Sequence, residues 1–237
     1  MFASIWNAYL YQPLFNLLIW LYNNWTNTNL GWAVVELTII LRIALLPFSL
    51  VGERNRIRNT ELAREVEELN KRYHNDAVIR KEEIRKVLKK RKVQPWTKIV
   101  VLGIQLLVLI LLYQVFLRGI TGDKIAKFLY PFVQFPGAIN TNFFGFELGR
   151  RHDALWAGAA AVWLAIEIYL DFRKKKKMGV PAGKSDVAFF LLFPLSVFFI
   201  LFYLPMVKSL FILTSLAFSV IISWFSTLIF RSGEMKN

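Results

Sequence analysis

Apolar positions in this chain gather into five long blocks nearly free of charge: Trp32–Val51, Thr97–Leu117, Ala154–Phe172, Val187–Leu204 and Val207–Phe230. A helix needs about 20 residues at about 1.5 Å rise to cross about 30 Å of hydrocarbon, and each block is of that order. They are too long for strands, and membrane barrels alternate polar and apolar positions over about ten residues. The pattern therefore predicts an all-α integral membrane protein, a five-helix transmembrane bundle with spans at 32–51, 97–117, 154–172, 187–204 and 207–230.

The intervals carry patterns of their own. Residues Tyr9–Trp25 are apolar and aromatic but broken by Pro13, Asn16, Asn23 and Asn24. This predicts an external, interfacial amphipathic helix within 1–31, with Trp6, Trp20, Tyr22 and Trp25 at the headgroup belt. In 52–95, Leu62, Val66, Leu69 and Tyr73 recur at spacings of four, three and four, a narrow helical stripe. Ile84, Val87, Leu88 and Arg91 repeat it after His74-Asn75-Asp76, so the segment reads as a cytoplasmic helical hairpin ended by Pro95. Residues 118–153 form an aromatic-rich external loop lying on the membrane surface, 173–186 a basic cytoplasmic loop, and 231–237 a tail. There is no evident internal repeat of the kind inverted-repeat transporters carry.

Charge orients this bundle. The chain has 237 residues, 56% of them hydrophobic, and a formal net charge of +14. Between Gly52 and Pro95 stand 14 Lys/Arg against 8 Asp/Glu, and six more basic residues lie in 173–186, whereas residues 1–31 have none. Lys and Arg are retained on the cytoplasmic side, so 52–95 and 173–186 are cytoplasmic, the N-terminus outside and the C-terminus inside. The excess is topogenic, with some attraction to anionic headgroups. DNA is not an expected partner, and ribosomal RNA is the one nucleic acid that stays open. Without a basic stretch in 1–31 no secretory signal is expected, and Met1 reads as the mature start.

Polar residues inside the blocks point to the chemistry. A charge at the bilayer centre costs about 2.5–3.5 kcal/mol or more, and Arg42 is the eleventh residue of the first block, at its midplane. Thr38, Arg42, Leu45 and Ser49 fall within about 60° on a helical wheel, which gives one polar face. Gln105 lies in the second block; Ser215, Ser219 and Ser226 share a face of the fifth, with Phe211 above them. Glu36 and Glu167 are the deep carboxylates and candidate ion-pair partners. The chain has no cysteine, and His74 and His152 lie outside the blocks, so no nucleophile–base pair is visible in the membrane. One cation among neutral hydrogen-bonding groups suits solvation of polar peptide, not bond cleavage. No enzyme activity, cofactor or metal is expected.

These motifs match a family. Leu37-Thr38-Ile39-Ile40-Leu41-Arg42 running into Pro47-Phe48-Ser49 closely resembles the first core span of YidC-type membrane protein insertases, bacterial relatives of the mitochondrial Oxa insertase. The segment closing on Gln94-Pro95 resembles that family's coiled hairpin, and Gln105 through Tyr113 its second span. Phe143-Phe144-Gly145-Phe146-Glu147-Leu148 with Asp153 resembles its external motif, and Phe198 through Pro205 the turn into its last span. Gln12-Pro13-Leu14-Phe15-Asn16 is similar to its entry helix. Departures are Phe211 where Tyr is usual, Ile212 for Trp, Leu107 for Pro and Glu36 for an aliphatic residue.

The resemblance implies a positively charged, water-accessible groove formed by Arg42, Thr38, Ser49, Gln105, Phe211, Ser215 and Ser219, open to cytoplasm and lipid and closed outside. It implies insertion of newly made membrane proteins into the bacterial cytoplasmic membrane, without a small-molecule cofactor. A Sec-type translocon and the ribosome stay open as partners. The alternative is a small transporter or channel with Arg42 as its anion site; an intramembrane enzyme would need a carboxylate pair.

Overall fold

In the computed structural model, residues 6–90, 103, 110, 128–177 and 184–234 are described. The second apolar block, with Gln105, lies outside these residues apart from Gly103 and Ile110, as do Arg91–Pro95. What is described is mostly helical: α1 (Gln12–Asn24), α2 (Leu30–Ala44), α3 (Leu46–Arg72), α4 (Ala77–Lys90), α5 (Ala154–Lys177), α6 (Lys184–Tyr203) and α7 (Val207–Glu234). Ala154–Arg173 and Val207–Ser226 are long and apolar enough to cross a membrane. Leu30–Ala44 and Leu46–Asn55 are long and apolar enough only when taken together across their bend, the form of a broken span or a re-entrant loop, and Val187–Tyr203 is a shorter apolar helix. This accords with an all-helical membrane protein.

α1 follows a π-helical turn, Asn7–Tyr11, and starts with Pro13 in its first turn, where the missing N–H costs nothing. It is not a surface helix on all sides. Phe15, Asn16, Leu18, Ile19, Leu21 and Tyr22 are buried, and α1 packs on α2. Tyr22 departs from its expected headgroup position: it is 1% exposed, and its hydroxyl accepts the Asn140 N–H at 2.9 Å. Trp20 and Trp25 are exposed, edge to face at 5.4 Å.

The asparagines that interrupt the apolar pattern are pins. Asn16 is buried and donates to the carbonyls of Gln12 and Phe128, each at 2.8 Å, while its Oδ1 accepts the Tyr130 N–H at 2.7 Å. Asn23 donates to the Gln134 carbonyl at 2.8 Å. Asn29 caps α2 by accepting from Gly31 and Trp32 N–H, and donates to the Asn142 carbonyl at 3.0 Å. Backbone groups that strands or helices would otherwise satisfy are thus closed by side chains.

The 128–153 connection holds a two-stranded hairpin, β1 (Asn142–Phe143) and β2 (Phe146–Glu147), with Asn142 opposite Glu147 and Phe143 opposite Phe146. Its turn residues, Phe144 and Gly145, have φ of 51° and 82°, the signature of a type I′ turn. Phe143 lies so close to α2 that a Cβ on Gly31 would overlap its ring. Trp32 and Trp156 complete the aromatic layer, 5.6 and 6.1 Å from Phe143.

The α6–α7 turn is tied to the same layer. His152 N–H donates to the Phe202 carbonyl at 2.9 Å, Met206 N–H to Arg150 at 2.9 Å and Val207 N–H to Leu148 at 3.1 Å. Asp153 caps α5 through Leu155 and Trp156 N–H. One end of the bundle is therefore a closed cap, in which Leu18, Tyr22, Leu30, Val34, Leu148 and Val207 are each at most 1% exposed. α5 and α6 pack along each other through Ala157, Ala160 and Leu201, small residues permitting close approach.

Away from the cap, α3 and α4 pack on each other across a turn at Tyr73–Asp76, with Asp76 accepting Val78 and Ile79 N–H. Leu62, Val66, Leu69 and Tyr73 are only half-buried. The exposed Arg64–Glu68 and Lys86–Glu82/Glu83 pairs add little stability.

Asn16→Ala should lower stability in detergent by about 1–3 kcal/mol, because it strands a part-buried carbonyl and N–H. Asn24→Ala, which removes only an exposed bond to the Trp20 carbonyl, should cost less than about 0.5 kcal/mol. Thermal denaturation of the two variants checks this; equal effects would show that the Asn16 bonds do not hold the cap.

Candidate functional site

The site begins with a break in a helix. Pro47 in the first turn of α3 lacks an N–H, and its ring clashes with the carbonyl four residues back. α2 accordingly ends at Ala44, Leu45 sits at φ −88°, ψ 0°, and the chain bends by 63° before α3 continues. The pattern of 32–51 alone predicts one straight span. The proline divides it, and the second part runs without interruption into the hairpin.

Arg42 lies in the last turn of α2, where the negative end of the helix dipole favours a cation. It is 8% exposed. Arg42 and Thr38 belong to the buried face of α2, and α2 packs on α7. Both helices start at the cap. Arg42 is twelve residues past Leu30 and Ser219 twelve past Val207 (42 − 30 and 219 − 207), so each is about 18 Å along its helix. Arg42 thus stands level with the serine run of α7.

That run divides by hydrogen bonding. Ser219 donates to the Ser215 carbonyl at 2.9 Å and Thr214 to Leu210 at 2.9 Å; Thr38, 1% exposed, donates to the Val34 carbonyl at 2.6 Å. These hydroxyl protons are spent inside their own helices. The hydroxyls of Ser215 and Ser226, both 0% exposed, and of Ser49 have no hydrogen-bond partner among the described residues. Such groups cost about 1–3 kcal/mol each unless water or another polar group reaches them.

The carboxylates are placed differently from each other. Glu167 on α5 accepts from Trp163 Nε1 at 3.4 Å and exerts a Coulomb attraction on Arg42. Glu36 is half-buried, off the face that carries Arg42, and its Oε2 is buried with no partner among the described residues. Phe211 is 3% exposed and belongs to the core next to Leu37 and Leu210, so it packs the cap side of the seam. Gln105 lies outside the described residues.

One contact was missed by motif reading. Ser223 of α7 donates to Glu53 of α3 at 3.0 Å, joining α7 to the chain beyond the bend. The spacing of Ser215, Ser219 and Ser223, four apart, extends the polar face toward the hairpin, but Glu53 lies 170 residues away in sequence and carries no motif. Arg42, the serines and Glu53 together form a polar seam between α2–α3 and α7. Among the described residues, no group of three His, Asp or Glu side chains converges as metal ligands would.

Comparison with known proteins adds to this geometry. The chain is 33% identical over 98 residues to "Membrane protein insertase YidC" of Clostridium tetani, covering 40% of this chain and 44% of that protein. The protein of the same name in Bordetella petrii is 28% identical over 118 residues, 48% of this chain and 20% of the relative. That in Cereibacter sphaeroides is 30% identical over 110 residues, 46% and 17% of the two chains. Each match therefore spans less than half of the relative's length. The model of a family described as "60Kd inner membrane protein" matches residues 20–232, nearly the whole chain. The chain belongs to the 60Kd inner membrane protein family, that of the YidC- and Oxa-type proteins.

Proposed function

We propose that this protein inserts newly made membrane proteins into the bacterial cytoplasmic membrane, by solvating their polar segments within the seam around Arg42. The observation that carries the proposal is a buried guanidinium at the broken end of α2, on a helix packed against α7, where the Ser215 and Ser226 hydroxyls have no hydrogen-bond partner among the described residues. A peptide segment entering hydrocarbon loses hydrogen bonds worth several kcal/mol per group. A fixed cation and free hydroxyls lower that barrier by replacing part of its water. The apolar part of the substrate then slides past the lipid-facing sides of the helices into the bilayer.

In this reading the five spans, Gln105 of the second included, form one bundle with the N-terminus outside and the C-terminus inside. The aromatic cap then faces outward and the seam opens toward the cytoplasm. The packing of the cap supports a path closed on the outside, as an insertase needs and a channel does not. Thr38, Ser49, Ser215 and Ser219 line the groove, with Phe211 at its closed end. Glu36 and Glu167 tune its charge. The work comes from partitioning of the substrate, without nucleotide. The Sec translocon and the ribosome are candidate partners for delivery.

Sidedness is tested by single cysteines in a chain that has none. Thr28→Cys and Gln134→Cys should react with an impermeant thiol reagent added outside intact cells, and Asn75→Cys should react only after lysis. The opposite pattern would invert the orientation and the groove with it.

Arg42 separates the groove from a purely structural role. Arg42→Lys keeps the charge and loses the forked geometry, and should retain most insertion activity. Arg42→Leu removes a costly midplane charge; it should fold at least as well, yet insert substrates with charged tails at least about tenfold more slowly, the equivalent of about 1.4 kcal/mol. If Arg42 serves only to neutralise Glu167, its loss strands a carboxylate and destabilises the bundle by about 3–5 kcal/mol. Thermal stability in detergent and insertion into liposomes, read on the same variant, decide between them. An unstable Arg42→Leu protein, or one that inserts normally, contradicts the proposal.

A further inference from the structure

The 63° bend has a consequence for the hairpin. α2 has 15 residues, about 22 Å of rise, which leaves about 8 Å of a hydrocarbon layer about 30 Å thick. α3 has 27 residues, about 40 Å of helix. Continued straight along α2 it would carry its far end about 32 Å beyond the hydrocarbon. Its first part, Leu46–Asn55, is tilted by 63°; a helix that keeps this direction gains only about 18 Å along the α2 direction. With α2 near the membrane normal, the tip of the hairpin lies about 10 Å past the hydrocarbon edge, against a headgroup layer about 5–7 Å deep. That is within reach of its field, since screening sets in over about 8 Å at physiological ionic strength.

The tip is built for such a neighbour. Val78 is 76% exposed and Ile79 45%, in the first turn of α4, where Asp76 fixes the backbone. Val78 is two residues from the half-buried Arg80, about 200° around the helix, so it faces away from the α3–α4 seam. The exposed Lys71, Arg72 and Lys81 lie in the same segment with the exposed acid Asp76, while Arg80 is on the seam side and Glu82 follows one turn beyond Val78. Exposed apolar side chains at a helix start, with exposed cations close by in the chain, are the pattern of a segment that rests on a lipid surface.

We infer that the hairpin tip, from Lys71 to Lys81, is a membrane-surface contact that binds anionic headgroups on the side of the bilayer where α2 ends. Phosphate groups meet the exposed Lys71, Arg72 and Lys81, and Val78 and Ile79 enter the interfacial layer. The contact holds the oblique α3 at a fixed tilt, and so fixes the Glu53 end of the seam against α7. In the orientation proposed above the surface is the cytoplasmic leaflet; the inference does not depend on insertase activity.

The test uses the full chain in lipid nanodiscs with a fluorophore on Ala77→Cys and a trace of lipid bearing a headgroup nitroxide. Quenching should be at least about twofold greater in phosphatidylglycerol-rich than in phosphatidylcholine discs, and added salt should shrink the difference. Replacing Lys71, Arg72 and Lys81 by Gln should abolish the difference, and Val78→Ser with Ile79→Ser should reduce quenching in both lipids. The unsubstituted tip compared across the two lipids needs no altered fold, so it keeps the test decisive. Equal, weak quenching in both discs would overturn the inference. So would a label untouched by lipid nitroxide but shielded from iodide when ribosomes are added, which would assign the tip to a ribosomal partner instead.

Discussion

A guanidinium cannot rest in hydrocarbon, and the fold around Arg42 follows from that constraint. The charge sits where α2 breaks, so its helix presents the negative end of its dipole instead of a closed ladder of hydrogen bonds. Pro47 makes the break, α7 brings serines level with it, and Glu167 supplies the nearby opposite charge. Each of these lowers the cost of keeping the cation inside the bundle without removing it. A leucine at this position would carry none of that cost; a buried cation on a helix packed against α7, where Ser215 and Ser226 have no protein partner among the described residues, is the physical basis for the solvating role proposed.

The two ends of the seam are held by different kinds of contact. Asn16, Asn23 and Asn29 stitch α1 and α2 to the 128–150 connection, and three backbone bonds hold the α6–α7 turn to it. Burial is concentrated there: Met206 through Phe211 are all buried, whereas from Ser219 to Ser226 of α7 only Ile222 and Ser226 are. One end of α2 and α7 is thus clamped. Toward the hairpin they are joined by polar contacts such as Ser223–Glu53, which water or peptide can replace at low cost. A clamped end and an exchangeable end are what a groove that opens to one side requires.

Much of this was legible in the sequence, for identifiable reasons. Helices follow from block length alone, and the hairpin turn from the loss of periodicity at His74-Asn75-Asp76. Arg42 is conspicuous because charge in an apolar run is costly wherever it points. What could not be read depends on partners far away in the chain. The role of Asn16 is fixed by Phe128 and Tyr130, more than a hundred residues on, so locally it looks like a flaw in a span. Tyr22 has the composition of a headgroup residue but is claimed by Asn140. Pro47 was in plain view as part of a motif, yet periodicity does not say whether a proline caps, kinks or breaks. The β-hairpin is too short for alternation to show, although Phe144-Gly145 held the turn.

The central claim is that a polar seam in this chain carries polar peptide across the bilayer, and reconstitution tests it most directly. The purified protein, as the sole protein in sealed liposomes, is given a single-span substrate with a short acidic N-terminal tail. Crossing of the tail is read by its protection from external protease. The account predicts a protected tail that depends on the chain, with no accompanying leak of small anions. Tails that cross equally well in protein-free liposomes, or an anion leak without any protected tail, would contradict it.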